Sequence, residues 1–137
     1  PRTRKRLETI GNLKMDERIQ FLKPFGFTDY VNLQMNALCT VSDSGTISEE
    51  SAILDFAAIS LRNSLERPEA QDAGTIILTG FDTDMVLDSI KVAIIEHNVQ
   101  RSRLIPIDYQ VPDTSWRVLK LLHGLPSLNN KWHGIVM

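Results

Sequence analysis

Short apolar runs alternate with amphipathic segments along this chain. The runs are rich in β-branched and other apolar side chains, which is typical of strands buried in a sheet. They lie at 18–22, 37–41, 57–61 and 75–79. The pattern therefore predicts four short strands, each followed by a segment of different periodicity.

The segments between the runs carry apolar residues at helical spacing. We expect Thr28 to cap a helix that ends near Asn36, and Asp82 or Thr83 to cap the longest helix, which ends near His97. Pro68 fits the first turn of a short helix that stops at Gly74. The remaining predicted helices cover 2–10, 46–54 and 114–122, with irregular chain at 100–113.

Strands that alternate with helices at short intervals predict an α/β fold. We expect a Rossmann-like, mainly parallel sheet with helices on both faces. Trp116, Leu119 and Leu122 have the spacing of core residues on the last helix. Four strands are few for a free-standing domain of this class, and the sequence opens abruptly in charged residues. We therefore expect an earlier part of the fold to lie outside these 137 residues.

Composition excludes several classes of function. The net charge of −2 gives no electrostatic support to non-specific nucleic-acid binding. We interpret the basic cluster at 2–6 as the start of a helix rather than as a nucleic-acid arm. No apolar run approaches the roughly 18 to 20 residues of a membrane span, and no signal peptide is visible. The chain is predicted to be cytoplasmic, with no nucleic-acid or membrane partner.

Cysteine and histidine give no sign of a metal site. Cys39 is the single cysteine, so an internal disulfide is excluded, and its apolar surroundings predict a buried, inert thiol. His97, His123 and His133 have no metal-ligand spacing to one another or to Cys39. We expect histidines that are either on the surface or satisfied by hydrogen bonds, no metal and no cofactor.

A polar stretch, Ser42–Glu50, separates the apolar run 37–41 from an amphipathic segment, which predicts a strand, a tight turn and a helix. Such a turn exposes backbone N–H groups at the helix start, where the helix dipole adds partial positive charge. Ser44 and Gly45 are small enough to let an anion approach the backbone. Ligands of open α/β sheets bind at this end of the strands, so the stretch predicts an anion site.

The carboxylate of Glu50 suits a ribose beside that anion. If the helix starts near Gly45, Glu50 lies roughly 9 Å along its axis, where a ribose attached to a bound diphosphate would reach. A carboxylate can accept two hydrogen bonds from a 2′,3′-diol, each worth roughly 1.5–3 kcal/mol. The spacing leaves an alternative open, because Thr46-x-x-Glu49 also fits a helix capping box.

A second group of charged residues follows the next strand. Arg62, Glu66, Arg67 and Glu69 are expected at the same edge of the sheet as Ser44. An arginine there could hold a phosphate through two hydrogen bonds. The alternative is a network of surface salt bridges around the short helix at Pro68.

Together the two groups resemble the carboxyl-terminal half of the non-hydrolysing UDP-N-acetylglucosamine 2-epimerases. The family pattern is DSGG-I-x-EE, then R-x-x-x-ERPE and AGT after a strand. The matching segments are Asp43–Glu50, Arg62–Ala70 and Gly74–Thr75. One departure is Thr46, which stands where many members have a second glycine. The first residues and the 22–30 segment resemble the subfamily that makes N-acetyl-fucosamine-type precursors for bacterial capsule and O-antigen.

The resemblance implies a two-domain GT-B architecture. Residues 1–123 would form the second, UDP-binding domain, followed by an irregular tail at 124–137. The diphosphate would meet Ser44, Gly45 and Thr46, and Glu50 would bind the ribose diol.

It also implies the surroundings of the base and of the sugar. A loop at Phe27–Tyr30 would lie near uracil, with Tyr30 as the packing partner. Arg62, Glu66 and Arg67 would line the cleft below the sugar.

The family reaction inverts carbon 2 of a UDP-N-acetyl sugar, by elimination of UDP to a 2-acetamidoglycal and its re-addition. The resemblance implies that the acid and base groups lie in an amino-terminal domain outside this sequence. It also implies a homodimer for the intact protein. We expect no catalytic residue in this chain and no activity from it alone.

Two other functions remain open at this point. The donor domain of a GT-B glycosyltransferase would share the nucleotide site and the ribose-binding glutamate, although Glu66–Glu69 fits the epimerases better. A non-catalytic binding or regulatory domain is the third hypothesis. A folded chain that does not bind UDP would favour it.

Overall fold

A three-stranded parallel sheet forms the centre of the molecule. The computed structural model describes residues 6, 7, 9, 10, 16–64, 67–99, 104–126 and 128. The strands are β1 (Thr40–Ser42), β2 (Ala58–Ser60) and β3 (Ile77–Leu78), in the spatial order β1-β2-β3. Val41 pairs with Ile59, which in turn pairs with Ile77. The predicted α/β class and parallel sheet are confirmed, and the strands are shorter than predicted.

The helices begin and end close to the predicted positions. They are α1 (Phe27–Asn36), α2 (Ile47–Leu54), α3 (Pro68–Asp72), α4 (Thr83–Asn98) and α5 (Thr114–Gly124). A 3-10 turn, Ile107–Gln110, interrupts the segment predicted to be irregular. Arg6, Leu7, Thr9 and Ile10 are helical, and the rest of the helix predicted at 2–10 lies outside the described residues.

Helices cover both faces of the sheet, because consecutive residues around β2 point to opposite sides. Ala58 belongs to a buried cluster with Ile47 of α2 and Ala70 of α3. Ile59, with no exposed surface, packs on the other side against Ala93 of α4. The first cluster fixes the positions of α2 and α3 against β2, and the second fixes that of α4.

Local signals set the helix ends. The Asp82 carboxylate accepts a hydrogen bond from the Met85 N–H at 2.9 Å and so caps α4 as predicted. Pro68 occupies the first turn of α3, and Gly74 follows that helix with φ of +68°. At α1 the prediction is wrong by two residues, since Gly26 rather than Thr28 precedes the helix and no side chain caps it.

The strand predicted at 18–22 is wrong. Asp16 and Arg18 form a turn instead, in which the carboxylate accepts the Arg18 backbone N–H at 2.9 Å and its guanidinium at 2.7 Å. Ile19 and Leu22 are more than half exposed. An apolar run becomes a strand only where a neighbouring strand pairs with it, and within 16–64 the chain offers this run no such pairing.

The core position predicted for α5 is also wrong. Trp116, Leu119 and Leu122 are 61, 41 and 64% exposed. Helical spacing shows that a helix has an apolar face, but not that another element covers the face. Cys39 is half-buried against the cluster around Ile59, rather than fully buried. No helix in the described part of the chain is both long and apolar enough to cross a membrane.

Candidate functional site

The chain segments that follow β1 and β2 lie side by side at one edge of the sheet. The carbonyl of Ser42 accepts the Leu61 N–H at 2.9 Å, and the carbonyl of Arg62 accepts the Gly80 N–H at 3.1 Å. Ser42 pairs directly with Ser60 at the ends of the two strands. The two polar groups singled out in the sequence are therefore neighbours in the fold.

Three hydroxyl side chains shape the turn between β1 and α2. The Ser42 hydroxyl accepts the Ser44 backbone N–H at 3.1 Å, and the Ser44 and Thr46 hydroxyls lie 2.9 Å apart. The Thr46 N–H donates to the Ser44 hydroxyl at 3.3 Å. These bonds order the turn ahead of α2, whose first amide groups have no acceptor within their own helix.

The capping-box alternative is not formed. Thr46 precedes α2 in a helical conformation, with φ of −74° and ψ of −14°, and its side chain makes no capping hydrogen bond. Glu49 does not reach back to Thr46 but contacts Arg67. The two carboxylates at the start of α2 are therefore free of a capping role.

Glu50 lies nearer the start of the helix than the sequence predicted. Because α2 begins at Ile47, Glu50 is in its first turn and not in the second. Its distance along the axis from Ile47 is about 4.5 Å at 1.5 Å per residue, rather than roughly 9 Å.

Gln34 of α1 holds the Glu50 carboxylate. Its Nε2 donates to Glu50 Oε2 at 2.6 Å, and only 3% of Gln34 is exposed to solvent. Tyr30, one helical turn earlier, is 40% exposed. Burial, and then the Glu50 carboxylate, raise the pKa of the Tyr30 hydroxyl above its ordinary value. The fold thus brings Tyr30 and Glu50 together, as a common site requires.

Glu49 points the other way and forms an ion pair with Arg67. The contact joins Glu49 Oε1 to Arg67 Nη1, and both side chains are about one-third exposed, at 36 and 33%. Solvent screening limits such a pair to about 1 kcal/mol. The salt-bridge alternative is therefore present for Arg67. Its effect on the site is to neutralise one of the two carboxylates beside the start of α2.

A tyrosine absent from the sequence predictions lies beside this pair. The Tyr109 hydroxyl is buried next to Glu69 without a well-formed hydrogen bond. Burial, and then Glu69 and Glu49, raise the pKa of that hydroxyl. No spacing in the sequence connects Tyr109 to these glutamates. Gln34 was missed as well, although its position one turn after Tyr30 would have placed the two side chains on one face of α1.

The other predicted residues have mixed outcomes. Phe27 and Tyr30 belong to the first turn of α1 and not to a loop, and Phe27 is 84% exposed. Arg62 is half-buried directly after β2, whereas Glu66 lies outside the described residues. His97 and His123 are exposed as predicted, and His133 is outside the described part. Among described side chains, no three His, Cys, Asp or Glu residues group as metal ligands would.

Solved structures share this fold. A UDP-N-acetylglucosamine 2-epimerase from Rickettsia bellii matches 95% of this chain with a TM-score of 0.79 and 42% identity, and the match covers 36% of that protein. The Methanocaldococcus jannaschii UDP-GlcNAc 2-epimerase, solved in complex with UDP-GlcNAc and UDP, matches 90% of the chain with a TM-score of 0.72 and 28% identity. That match covers 33% of the M. jannaschii chain.

Sequence comparison points to the same family. The curated UDP-N-acetylglucosamine 2-epimerase of M. jannaschii is 34% identical over 95 residues, which is 67% of this chain and 26% of the relative. The chain thus spans about a quarter to a third of the length of the relatives that it matches. The family model described as UDP-N-acetylglucosamine 2-epimerase matches residues 1–123. The chain therefore belongs to the UDP-N-acetylglucosamine 2-epimerase family.

Proposed function

We propose that this chain is the UDP-binding part of a UDP-N-acetylhexosamine 2-epimerase. In this proposal residues 1–123 form the carboxyl-terminal, nucleotide-binding domain and 124–137 an irregular tail. Family membership supports the proposal, as do two similar proteins, the M. jannaschii enzyme in complex with UDP-GlcNAc and UDP and the Neisseria meningitidis enzyme bound to UDP-GlcNAc.

The observation that carries the proposal is the shared edge of β1 and β2. The turn at Ser44, the Glu50 carboxylate and the segment from Arg62 all follow the carboxyl ends of two paired strands. Parallel sheets bind ligands at this end, because helix starts and connecting loops gather there. One nucleotide could thus contact both segments.

The diphosphate would lie at the turn before α2. Ser44, Gly45 and Thr46 would offer hydroxyl and backbone N–H donors, and the helix dipole adds partial positive charge. Glu49 would oppose this, since like charges repel. Its pairing with Arg67 offsets that repulsion and makes the turn a better anion site.

The ribose would be bound by Glu50 and the base would pack near Tyr30. Gln34 uses one oxygen of the Glu50 carboxylate, which leaves the other oxygen to accept a ribose hydroxyl. Tyr30 lies one helical turn before Gln34 on α1, and the Glu50 carboxylate helps to raise the pKa of its hydroxyl, after burial. Phe27, largely exposed in the same first turn of α1, would extend the uracil-binding surface. Arg62, Glu66 and Arg67 would line the sugar side of the cleft.

In the reaction that we propose, the protein removes the carbon 2 proton and eliminates UDP to give a 2-acetamidoglycal. It then adds UDP back to carbon 1 while a proton returns to the opposite face of carbon 2. This chain would hold the departing and returning UDP. The groups that move the carbon 2 proton would lie in a part of the protein outside these residues, so the chain alone would be inactive. We propose that the intact protein is a cytoplasmic homodimer that supplies capsule or O-antigen sugar precursors.

Solvent exchange tests this function directly. The full-length protein, incubated in deuterium oxide with a UDP-N-acetylhexosamine, should introduce deuterium at carbon 2 of the sugar during turnover. Absence of exchange with every UDP-N-acetylhexosamine tried would contradict the proposal. Transfer of the sugar to an acceptor instead would identify a glycosyltransferase.

A further inference from the structure

Gln34 stands out because it is the one fully buried residue of a helix that is exposed everywhere else except at half-buried Val31. Phe27, Tyr30, Leu33 and Met35 of α1 are all 40% exposed or more, whereas Gln34 is 3% exposed. An amide is a costly group to bury, since each polar atom that loses water needs a partner. Its presence at this position therefore calls for an explanation beyond packing.

The partner of that amide is the Glu50 carboxylate. A carboxylate oxygen can only accept hydrogen bonds, so the Gln34 NH₂ group and not its oxygen must face Glu50. The distance of 2.6 Å between Nε2 and Oε2 is short, as expected for a bond to a charged acceptor. The bond connects α1 with the first turn of α2, sixteen residues apart in sequence.

The other end of the amide shows what this arrangement costs. Gln34 Oε1 is buried and has no hydrogen-bond partner among the described residues. An apolar side chain of similar length would avoid that cost but would leave Glu50 free to rotate. The amide thus exchanges local stability for a fixed carboxylate.

We propose that Gln34 is a positioning residue that orients the Glu50 carboxylate for recognition of the ribose hydroxyls. The hydrogen bond to Glu50 Oε2 restricts rotation of the Glu50 carboxylate. Glu50 Oε1 therefore keeps one direction while the nucleotide binds. This inference rests on the ribose-binding role of Glu50 in the proposed function. It adds that the preference for ribose over deoxyribose depends on a residue that does not itself contact the nucleotide.

The test compares UDP with 2′-deoxy-UDP by isothermal titration calorimetry on the full-length protein. The unaltered protein should bind UDP at least about tenfold more tightly, because one hydrogen bond to a charged acceptor is lost in the deoxy compound. Gln34→Met should reduce that ratio at least about threefold and leave 2′-deoxy-UDP binding nearly unchanged. Gln71→Met makes the same chemical change at an exposed site on α3 and should leave the ratio unaltered.

The outcomes separate this inference from the proposed function. If Gln34→Met weakens both nucleotides equally, the role of Gln34 is structural and the inference is wrong. If Glu50→Gln abolishes the preference but Gln34→Met does not, the inference fails while the role of Glu50 stands. If Glu50→Gln leaves the preference for UDP over 2′-deoxy-UDP intact, both the inference and the ribose-binding role of Glu50 are wrong. Gln34→Asn, which keeps a polar group but draws it back by one methylene, repeats the test should the methionine variant not fold.

Discussion

Glu49 and Glu50 are consecutive residues of α2, yet their carboxylates have partners on different elements. Glu49 pairs with Arg67 ahead of α3, and Glu50 accepts the amide of Gln34 from α1. Successive side chains on a helix point about 100° apart, so one turn can serve two neighbours. The first carboxylate is neutralised beside the turn, and the second is tied to α1 by a hydrogen bond.

The Glu49–Arg67 pair leads to a prediction about charge at the turn. Arg67→Gln should weaken UDP binding about two- to fivefold, because an unpaired Glu49 would repel the diphosphate at the start of α2. Adding Glu49→Gln should recover most of the lost UDP affinity. Calorimetry on the single and double variants measures both steps. A double variant as weak as Arg67→Gln alone would mean that Arg67 contacts the nucleotide itself.

A second prediction concerns the ionisation of Tyr30. Its pKa is raised by burial and then by Glu50, so Glu50→Gln should move that pKa down toward the ordinary value without reaching it. A raised pKa means that the neutral hydroxyl contributes stability below about pH 10, which is lost as the pH rises through the folded-state value. Titration of the tyrosine ring carbons by NMR measures the shift, with Tyr109→Phe to assign the signals. An unchanged Tyr30 pKa in Glu50→Gln would show that the Glu50 carboxylate does not act on Tyr30.

Two glycines, one after α3 and one after β3, have a backbone conformation that disfavours other residues. Gly74 and Gly80 have φ of +68° and +64°, a conformation that costs other residues about 1–2 kcal/mol. Gly74→Ala should lose that amount, since nothing lies within 4 Å of the added carbon. Gly80→Ala should lose more, because Asn63 Oδ1 lies 2.9 Å from the new atom. Urea denaturation measures both losses, and Asn63→Ala should bring Gly80→Ala back to the level of Gly74→Ala. If Gly80→Ala and Gly74→Ala lose equal stability and Asn63→Ala has no effect, the close contact between position 80 and Asn63 is wrong.

Burial of β2 gives a prediction about the core. Ile59→Ala should lower the free energy of unfolding by about 2–5 kcal/mol, because its side chain has no exposed surface. Ile95→Ala makes the same change at a residue of α4 that is 61% exposed and should cost less than about 0.5 kcal/mol. Similar losses from the two variants would show that β2 is not the centre of the core.

The sequence predicted those elements whose signals are local. Asp82, Pro68 and Gly74 act through their own backbone neighbourhood, so the ends of α3 and α4 could be predicted from them. The alternation around Ile59 likewise follows from side chains buried on both faces of one strand. These features depend on a few consecutive residues and on no distant partner.

Apart from the helix cap predicted at Thr28, the errors in the fold concern features that depend on distant partners. The run at 18–22 is apolar enough for a strand but lacks one to pair with in the described chain, and α5 has an apolar face that remains exposed. The same limit applies to the site. The sequence motifs predicted which strand ends meet, but the bonds from Gln34 to Glu50 and from Arg67 to Glu49 depend on how α1, α2 and α3 are placed.

The most direct test of the account is the affinity of the full-length protein for UDP after Glu50→Gln. Loss of the charged acceptor should weaken UDP binding by about 1–3 kcal/mol, or about 5- to 150-fold in Kd, by calorimetry. Asp88→Asn is the matched control, since Asp88 lies exposed on α4, the helix that packs on the opposite face of the sheet from α2. It should bind UDP as the unaltered protein does. Unchanged affinity in Glu50→Gln would remove Glu50 from the nucleotide site and contradict the account.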